Sequence, residues 1–199
     1  MSTMYAFKKR RLVSMLGSLA TFALSFFSFL LLGVFPGALP TLHAAEKQQI
    51  NITGYGIDVT LDPTAHTIKA RTAVSFTALD NLNVVSFGFN NALRVSRIAD
   101  SKGNTLTGEN SPVDSTIRVT PQAPLNKGQT DTWTFDYTGI LNSADASPVE
   151  GLKLASIDSP ISYLLYAARW FPTVGYMTDR FTSEIHVHVP RGYRVIGSG

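Results

Sequence analysis

The chain has 199 residues, a formal charge of +3 and no cysteine. Without cysteine it has no disulfide staples, no thiolate zinc ligands and no Cys nucleophile. The positive charge is local: Lys8, Lys9, Arg10 and Arg11 take four of the 17 basic residues, all 14 acidic residues lie beyond Ala45, and the remaining 13 basic residues leave that body at −1. It therefore lacks the basic face that nucleic-acid binding requires, and no nucleic-acid partner is expected.

The basic cluster precedes an apolar run from Leu12 to Phe35, then Pro36, Pro40 and the pair Ala44–Ala45. This order is that of an export signal. The run has 24 residues, diluted by Ser14, Gly17, Ser18, Thr21, Ser25 and Ser28, and it fits either a signal cleaved after Ala44 or a retained anchor helix. In both cases the rest of the chain is translocated, so an extracytoplasmic location is expected, with the membrane as a partner of residues 1–45. The 154 residues that follow are enough for one ordinary domain with a real core.

Glu46–Thr53 reads as a short tether, and residues 54–199 as one β domain. Two-residue alternation dominates from there on. In Ile68–Ala78, Ile68, Ala70, Val74, Phe76 and Ala78 share one face, and Lys69, Arg71, Ser75 and Thr77 share the other. The same pattern predicts strands over Tyr55–Leu61, Val84–Asn90, Leu93–Ile98, Thr116–Val119, Thr132–Thr138, Ile161–Tyr166, Phe181–Val189 and Tyr193–Ile196. Turn residues separate them: Asp62-Pro63, Asp80-Asn81, Asn90-Asn91, Ser101-Lys-Gly-Asn104, Asn126-Lys-Gly128 and Pro190-Arg-Gly192. Asn142–Glu150 reads as an exposed loop. No stretch beyond Pro36 holds a 3.6-residue apolar stripe, so the expected class is all-β: an antiparallel β-sandwich or saddle behind an N-terminal hydrophobic signal or anchor helix.

Few residues suggest chemistry. Glu184, His186 and His188 fall on one face of the strand Phe181–Val189, because i, i+2 and i+4 point the same way. A His-x-His pair with a carboxylate can bind zinc; the plainer reading is the polar face of a half-buried strand whose Ile185, Val187 and Val189 point inward. Tyr163–Pro172 is dense in aromatics and offers Tyr166 and Arg169 as substrate-binding candidates, with Arg169 as an anion clamp. Its plainer reading is a core strand that runs into a Pro-terminated loop. No Gly-x-Ser-x-Gly elbow, phosphate loop or His-Glu-x-x-His is present. Asn51-Ile-Thr53 fits a glycosylation sequon. Asp58 and Asp62 share a strand face, but acid–base work needs a second matched group.

Ala168-Arg-Trp-Phe-Pro172, Asp179–Pro190 and Gly192–Gly199 together resemble the aminopeptidase N family of zinc metallopeptidases. They are similar to its non-catalytic N-terminal β-saddle, where Ala-Arg-x-x-Phe-Pro precedes a strand of the form Lys-Ala-x-Phe-x-Ile-x-Val-x-x-Pro. Tyr55–Pro63 looks like the family's opening strand and Ile68–Phe76 like its second. Pro124-Leu-Asn-Lys-Gly128 and Trp133–Gly139 look like its Pro-Leu-x-x-Gly and Tyr-x-Gly-x-Leu pair. The family's Gln-Phe-Glu segment, which holds the substrate amine, is replaced here by the acid-free Ser162–Ala167, and its Cys-Trp-Asp-Glu-Pro by Thr173–Met177. The resemblance implies that residues 54–199 are a non-catalytic domain, incomplete at its C-terminus, and a fragment of a longer chain in which it packs against a downstream catalytic domain. Zinc is expected only in that domain, and no cofactor in this chain. The reading from another class is a self-contained exported β-sandwich for binding or adhesion, and a small metal sensor through His186 and His188 is a third.

Overall fold

The computed structural model describes residues 48–142, 151–175 and 180–197. The hydrophobic run Leu12–Phe35 and most of the expected loop Asn142–Glu150 lie outside these residues. Among the described residues, no helix is long and apolar enough to cross a membrane.

Ten strands form among the described residues: β1 Ile50–Asp62, β2 Thr67–Ala78, β3 Val85–Gly88, β4 Leu93–Ala99, β5 Thr107–Ser111, β6 Thr116–Thr120, β7 Thr130–Ile140, β8 Ala155–Ser156, β9 Tyr163–Leu164 and β10 Thr182–His188. A 3-10 turn, Tyr166–Ala168, follows β9. A five-stranded sheet runs β10-β1-β2-β7-β4, a three-stranded sheet runs β3-β6-β5, and β8 and β9 make a short ribbon.

The long sheet is antiparallel from β1 through β4 and buries one face. Ile57 and Val59 of β1, Val74 and Phe76 of β2, and Trp133, Phe135 and Tyr137 of β7 point into the core. The small sheet covers that face with Val85, Phe87, Ile117 and Val119, also buried. Phe87 meets the Phe135 ring at 5.2 Å and the Trp133 ring at 6.0 Å, so the two sheets share one aromatic centre. The opposite face of the long sheet is polar and wet, as one-sided antiparallel sheets are; there Arg71 of β2 donates to both carboxylate oxygens of Asp136 on β7, at 2.7 and 3.1 Å.

The core holds one buried side-chain pair, while the buried Thr116 Oγ1 has no hydrogen-bond partner among the described residues. Thr72 and Tyr137 share a buried hydroxyl–hydroxyl hydrogen bond of 2.9 Å. Burial pushes the Tyr137 hydroxyl pKa up, and the bond to Thr72 opposes that only in part.

Four features differ from the alternation pattern. First, β1 begins at Ile50, inside the expected tether Glu46–Thr53. The pairing with β2 shifts between Ile52 and Gly54, so Ile50 and Ile52 face the core on the even phase and Tyr55, Ile57 and Val59 on the odd phase. A bulge breaks the two-residue rhythm and conceals one strand as two pieces. Second, Tyr193–Ile196 is not a strand: Pro190–Gly192 turns the chain and the next residues run irregularly. Third, Ile161–Tyr166 shrinks to the two-residue β9 and then the 3-10 turn. Fourth, the sandwich is not wholly antiparallel, because β10 pairs with β1 in parallel, Gly54 to Thr60 against Thr182 to His188.

Candidate functional site

Two regions carry the side chains singled out by the sequence. One is the polar face of β10 and β1; the other is the strap from Gly151 to Gly175.

On β10, Glu184, His186 and His188 do share a face, and the parallel register sets Asp58 of β1 beside His186. They resolve into two separate pairs. His186 Nε2 lies 2.9 Å from Glu184 Oε1, and His188 Nε2 lies 3.5 Å from Asp58 Oδ2. All four are well exposed. Among the described residues, no three His, Asp or Glu side chains are placed to hold one metal ion. The donors on β10 and β1 thus stand as two exposed pairs. Asp58 and Asp62 do not act together: Asp58 faces His188, while Asp62 caps the following turn by accepting from the Thr64 and Ala65 amides.

The expected inward face of β10 is only partly inward. Ile185 remains 46% exposed, and Val187 and Val189 are half-buried.

The strap is anchored at several points. His66, in the β1–β2 turn with φ 57°, donates its Nδ1 hydrogen to the Ile157 carbonyl at 2.8 Å and sits 3.6 Å from Asp158 Oδ1. Its partner lies 91 residues away, so no local signal in the sequence shows this link. Ile157 N donates to Leu141 O at 2.6 Å, which ties the strap to the end of β7. Buried Asn90 accepts from the Ala92 amide and donates to the Ala168 carbonyl at 3.2 Å. Thr173 and Gly88 exchange both backbone hydrogen bonds, at 2.7 and 3.0 Å.

Tyr166 and Arg169 sit within this anchored stretch. Tyr166 packs edge-on to Phe171 at 5.6 Å, and Phe171 packs on Tyr55 of β1 at 5.1 Å. Trp170 and Phe171 are buried, so the aromatic density of Tyr163–Pro172 serves core packing to a large extent. Arg169 ends the 3-10 turn in the left-handed region, φ 53° and ψ 41°, its amide donating to Tyr166 O at 3.0 Å. Its side chain passes over Gly88, where a Cβ would stand 3.2 Å from Nε and 3.3 Å from Cδ. The left-handed backbone costs an L-residue about 1–2 kcal/mol. Arg169→Gly is therefore expected to be about 1 kcal/mol more stable than Arg169→Ala in urea titrations, since both lose the side chain and only glycine relaxes the backbone. Equal midpoints would refute that account.

The strap also leaves apolar side chains uncovered. Leu152, Ile161, Tyr163 and Leu165 are exposed, Ile161 by 72%. They lie on or beside the β8–β9 ribbon.

The sequence matches no family model and no curated protein. Solved structures do match in fold. An M1 zinc metallopeptidase from Deinococcus radiodurans superposes with a TM-score of 0.59 at 18% identity, over 72% of this chain and 33% of that one. A mutant of the M1 zinc metallopeptidase from the same organism, bound to a Tyr-Ser-Ala substrate, gives 0.58 at 17% identity, over 71% and 33%. A mutant two-domain M1 zinc metallopeptidase bound to L-arginine gives 0.55 at 19% identity, over 72% and 33%. The chain thus spans about a third of the length of these structures. At this identity the likeness establishes a shared fold: the β architecture of this chain is one also found within M1 zinc metallopeptidases.

Proposed function

We propose that this chain is the non-catalytic N-terminal β domain of an exported or membrane-tethered aminopeptidase N-like protein. Its role in this reading is to form one wall of a cleft against a downstream zinc domain. The observation that carries it is the fold match, which spans 71–72% of this chain yet 33% of each peptidase. Two observations support it. The share of each peptidase left unmatched is large enough to hold a separate catalytic domain. The uncovered Leu152, Ile161, Tyr163 and Leu165 provide an apolar surface suited to packing against one.

The substrate amine anchor of the family has no counterpart in Ser162–Ala167, so the proposed assembly would select substrates by other contacts. Residues 12–35 would hold the domain at, or carry it across, the membrane.

The test is to read the transcript beyond the codon for Gly199, and to assay the purified chain for zinc-dependent peptide hydrolysis. A continuing frame with His-Glu-x-x-His and a downstream Glu, together with no turnover by this chain alone, is expected. Zinc-dependent turnover by the 199-residue chain, or a stop codon directly after Gly199, would overturn the reading.

A further inference from the structure

We propose that the β8–β9 ribbon, Gly151–Leu165, is a flap latched by His66, which leaves the core as one unit while the sandwich and the rest of the strap stay in place. The ribbon holds itself together. Ala155 and Ser156 pair with Leu164 and Tyr163. The Leu165 amide donates to Leu154 O at 3.1 Å, and the Tyr163 hydroxyl donates to Lys153 O at 3.1 Å. At the tip, Ser162 Oγ accepts from the Asp158 amide at 3.0 Å and donates to Asp158 O at 2.9 Å. All of these bonds travel with the ribbon.

Its hydrogen bonds to the other described residues converge on Ile157. Ile157 N donates to Leu141 O at 2.6 Å, and His66 Nδ1 donates to Ile157 O at 2.8 Å, with Asp158 Oδ1 at 3.6 Å. The Leu141 amide donates to His66 O at 3.1 Å, so His66, Leu141 and Ile157 close a ring of three bonds. Beyond the ring, the Tyr193 hydroxyl donates to Ser159 Oγ at 3.2 Å on the exposed tip. Ala155 and Ile157 are the apolar side chains that the ribbon buries fully. The strap after Leu165 is held harder. There Ala168, Trp170 and Phe171 are buried, Asn90 holds the Ala168 carbonyl, and Thr173 and Gly88 exchange two backbone bonds. Gly151, at the ribbon's start, has φ 72° and open space where a Cβ would stand, which suits a hinge. His66 itself is held at φ 57°. A left-handed residue other than glycine persists where surrounding contacts fix it, and the ring supplies those contacts. As a regulator of the cleft wall the flap rests on the function proposed above; as a motion of this chain it does not, and the test reads the motion alone.

The chain has no cysteine, so one introduced thiol reports opening. The full chain in a mild nonionic detergent carries Ala155→Cys in the ribbon, Ala168→Cys in the strap beyond it, or Ala70→Cys in β2; all three alanines are buried. Labelling by a small disulfide reagent is expected to be roughly tenfold faster, or more, at position 155 than at 168 or 70. Adding His66→Gly is expected to speed position 155 roughly tenfold. Position 70 should gain clearly less, because glycine relaxes the left-handed turn whether the ribbon is shut or open. His66→Asn keeps an amide donor near the place of Nδ1 and tolerates the left-handed backbone, and it should stay slow. Hydrogen exchange at the Ile157 amide of the unsubstituted chain makes the same comparison without a new thiol. Equal labelling at 155 and 70 together with an Ile157 amide as protected as those of β2 would overturn the proposal. So would a His66→Gly effect equal at all three positions, or His66→Asn labelling as fast as His66→Gly.

Discussion

Trp133→Ala is expected to cost about 3–5 kcal/mol, a large share of the roughly 5–15 kcal/mol that holds a domain folded. Trp133 is fully buried at the centre of the long sheet. Its ring meets Phe76 edge-on at 5.0 Å and Phe87 of the covering sheet at 6.0 Å. Its indole Nε1 donates to Asp131 Oδ2 at 3.0 Å, and the other oxygen of Asp131 accepts from the Thr132 amide at 2.8 Å and the Ser101 amide at 3.3 Å. One side chain thus joins both sheets and, through Asp131, the turn after β4. The alanine variant loses the ring contacts, leaves a cavity and releases a carboxylate that organises two amides. For a body of this size the thermal midpoint should fall by about 6–20 °C. Far-ultraviolet circular dichroism reads the transition for the two proteins under the same conditions. Trp133→Phe keeps most of the apolar volume and should lose clearly less. A shift for Trp133→Ala below about 1 kcal/mol would mean that the two sheets do not share this core.

The strands with strict alternation are legible in the sequence because burial on one face imposes the period. Ile68–Ala78 keeps its inward set intact, and Thr72 can join that set because Tyr137 supplies its hydroxyl partner. Where a bulge shifts the phase, the pattern fails. Val95 and Ile98 of β4 are three apart because the register slips between Val95 and Arg97, and Ile50 and Ile52 read as a tether for the same reason. The short β5 is not legible at all: Thr107–Ser111 is almost wholly exposed, so it carries no apolar face to read. Its place is set by pairing with β6, a non-local fact. The parallel docking of β10 is equally hidden, since alternation gives a strand's faces and not its neighbour.

The candidate site is legible as residues and not as geometry. His186, His188 and Glu184 share a face as their spacing requires, yet the direction of their rings divides them between Glu184 and Asp58. Arg169 reads as a cation in the sequence; its left-handed backbone and its position over Gly88 follow from the turn that ends at Ala168. The motifs that carry the family resemblance are largely joints of the fold. Asn90 holds the carbonyl of Ala168, Thr173 clamps Gly88 just beyond Phe171-Pro172, and Leu141 O receives Ile157 at the foot of the strap. Such motifs report architecture.

The Tyr-x-Gly-x-Leu pattern gives the second large effect. Gly139→Val is expected to destabilise the domain by about 3 kcal/mol or more, and Gly139→Ala by about 1–3 kcal/mol. Gly139 lies in β7 between β2 and β4, opposite Ile68 on one side and Leu93 on the other. A Cβ at this position would press into the Ala92 carbonyl oxygen and stand 3.0 Å from Leu93 Cα and 2.9 Å from Leu93 Cδ2. Two of these atoms are backbone, so no rotamer change relieves the contact, and β4 must move away from β7. Leu93 is fully buried, which means that such a shift also opens the core beside Tyr137. Gly56 supplies the control. A Cβ there meets the Ala73 Cβ at 3.8 Å, an ordinary contact, and Gly56→Ala should be neutral or gain a few tenths of a kcal/mol as the unfolded chain loses freedom. Urea midpoints of the three variants separate the explanations. If Gly139→Ala and Gly56→Ala unfold together, the close approach of β4 to β7 is not what holds glycine at 139. If Gly139→Ala alone falls, the family-like pattern at Tyr137–Leu141 is explained by strand spacing, and no catalytic role needs to be sought in it.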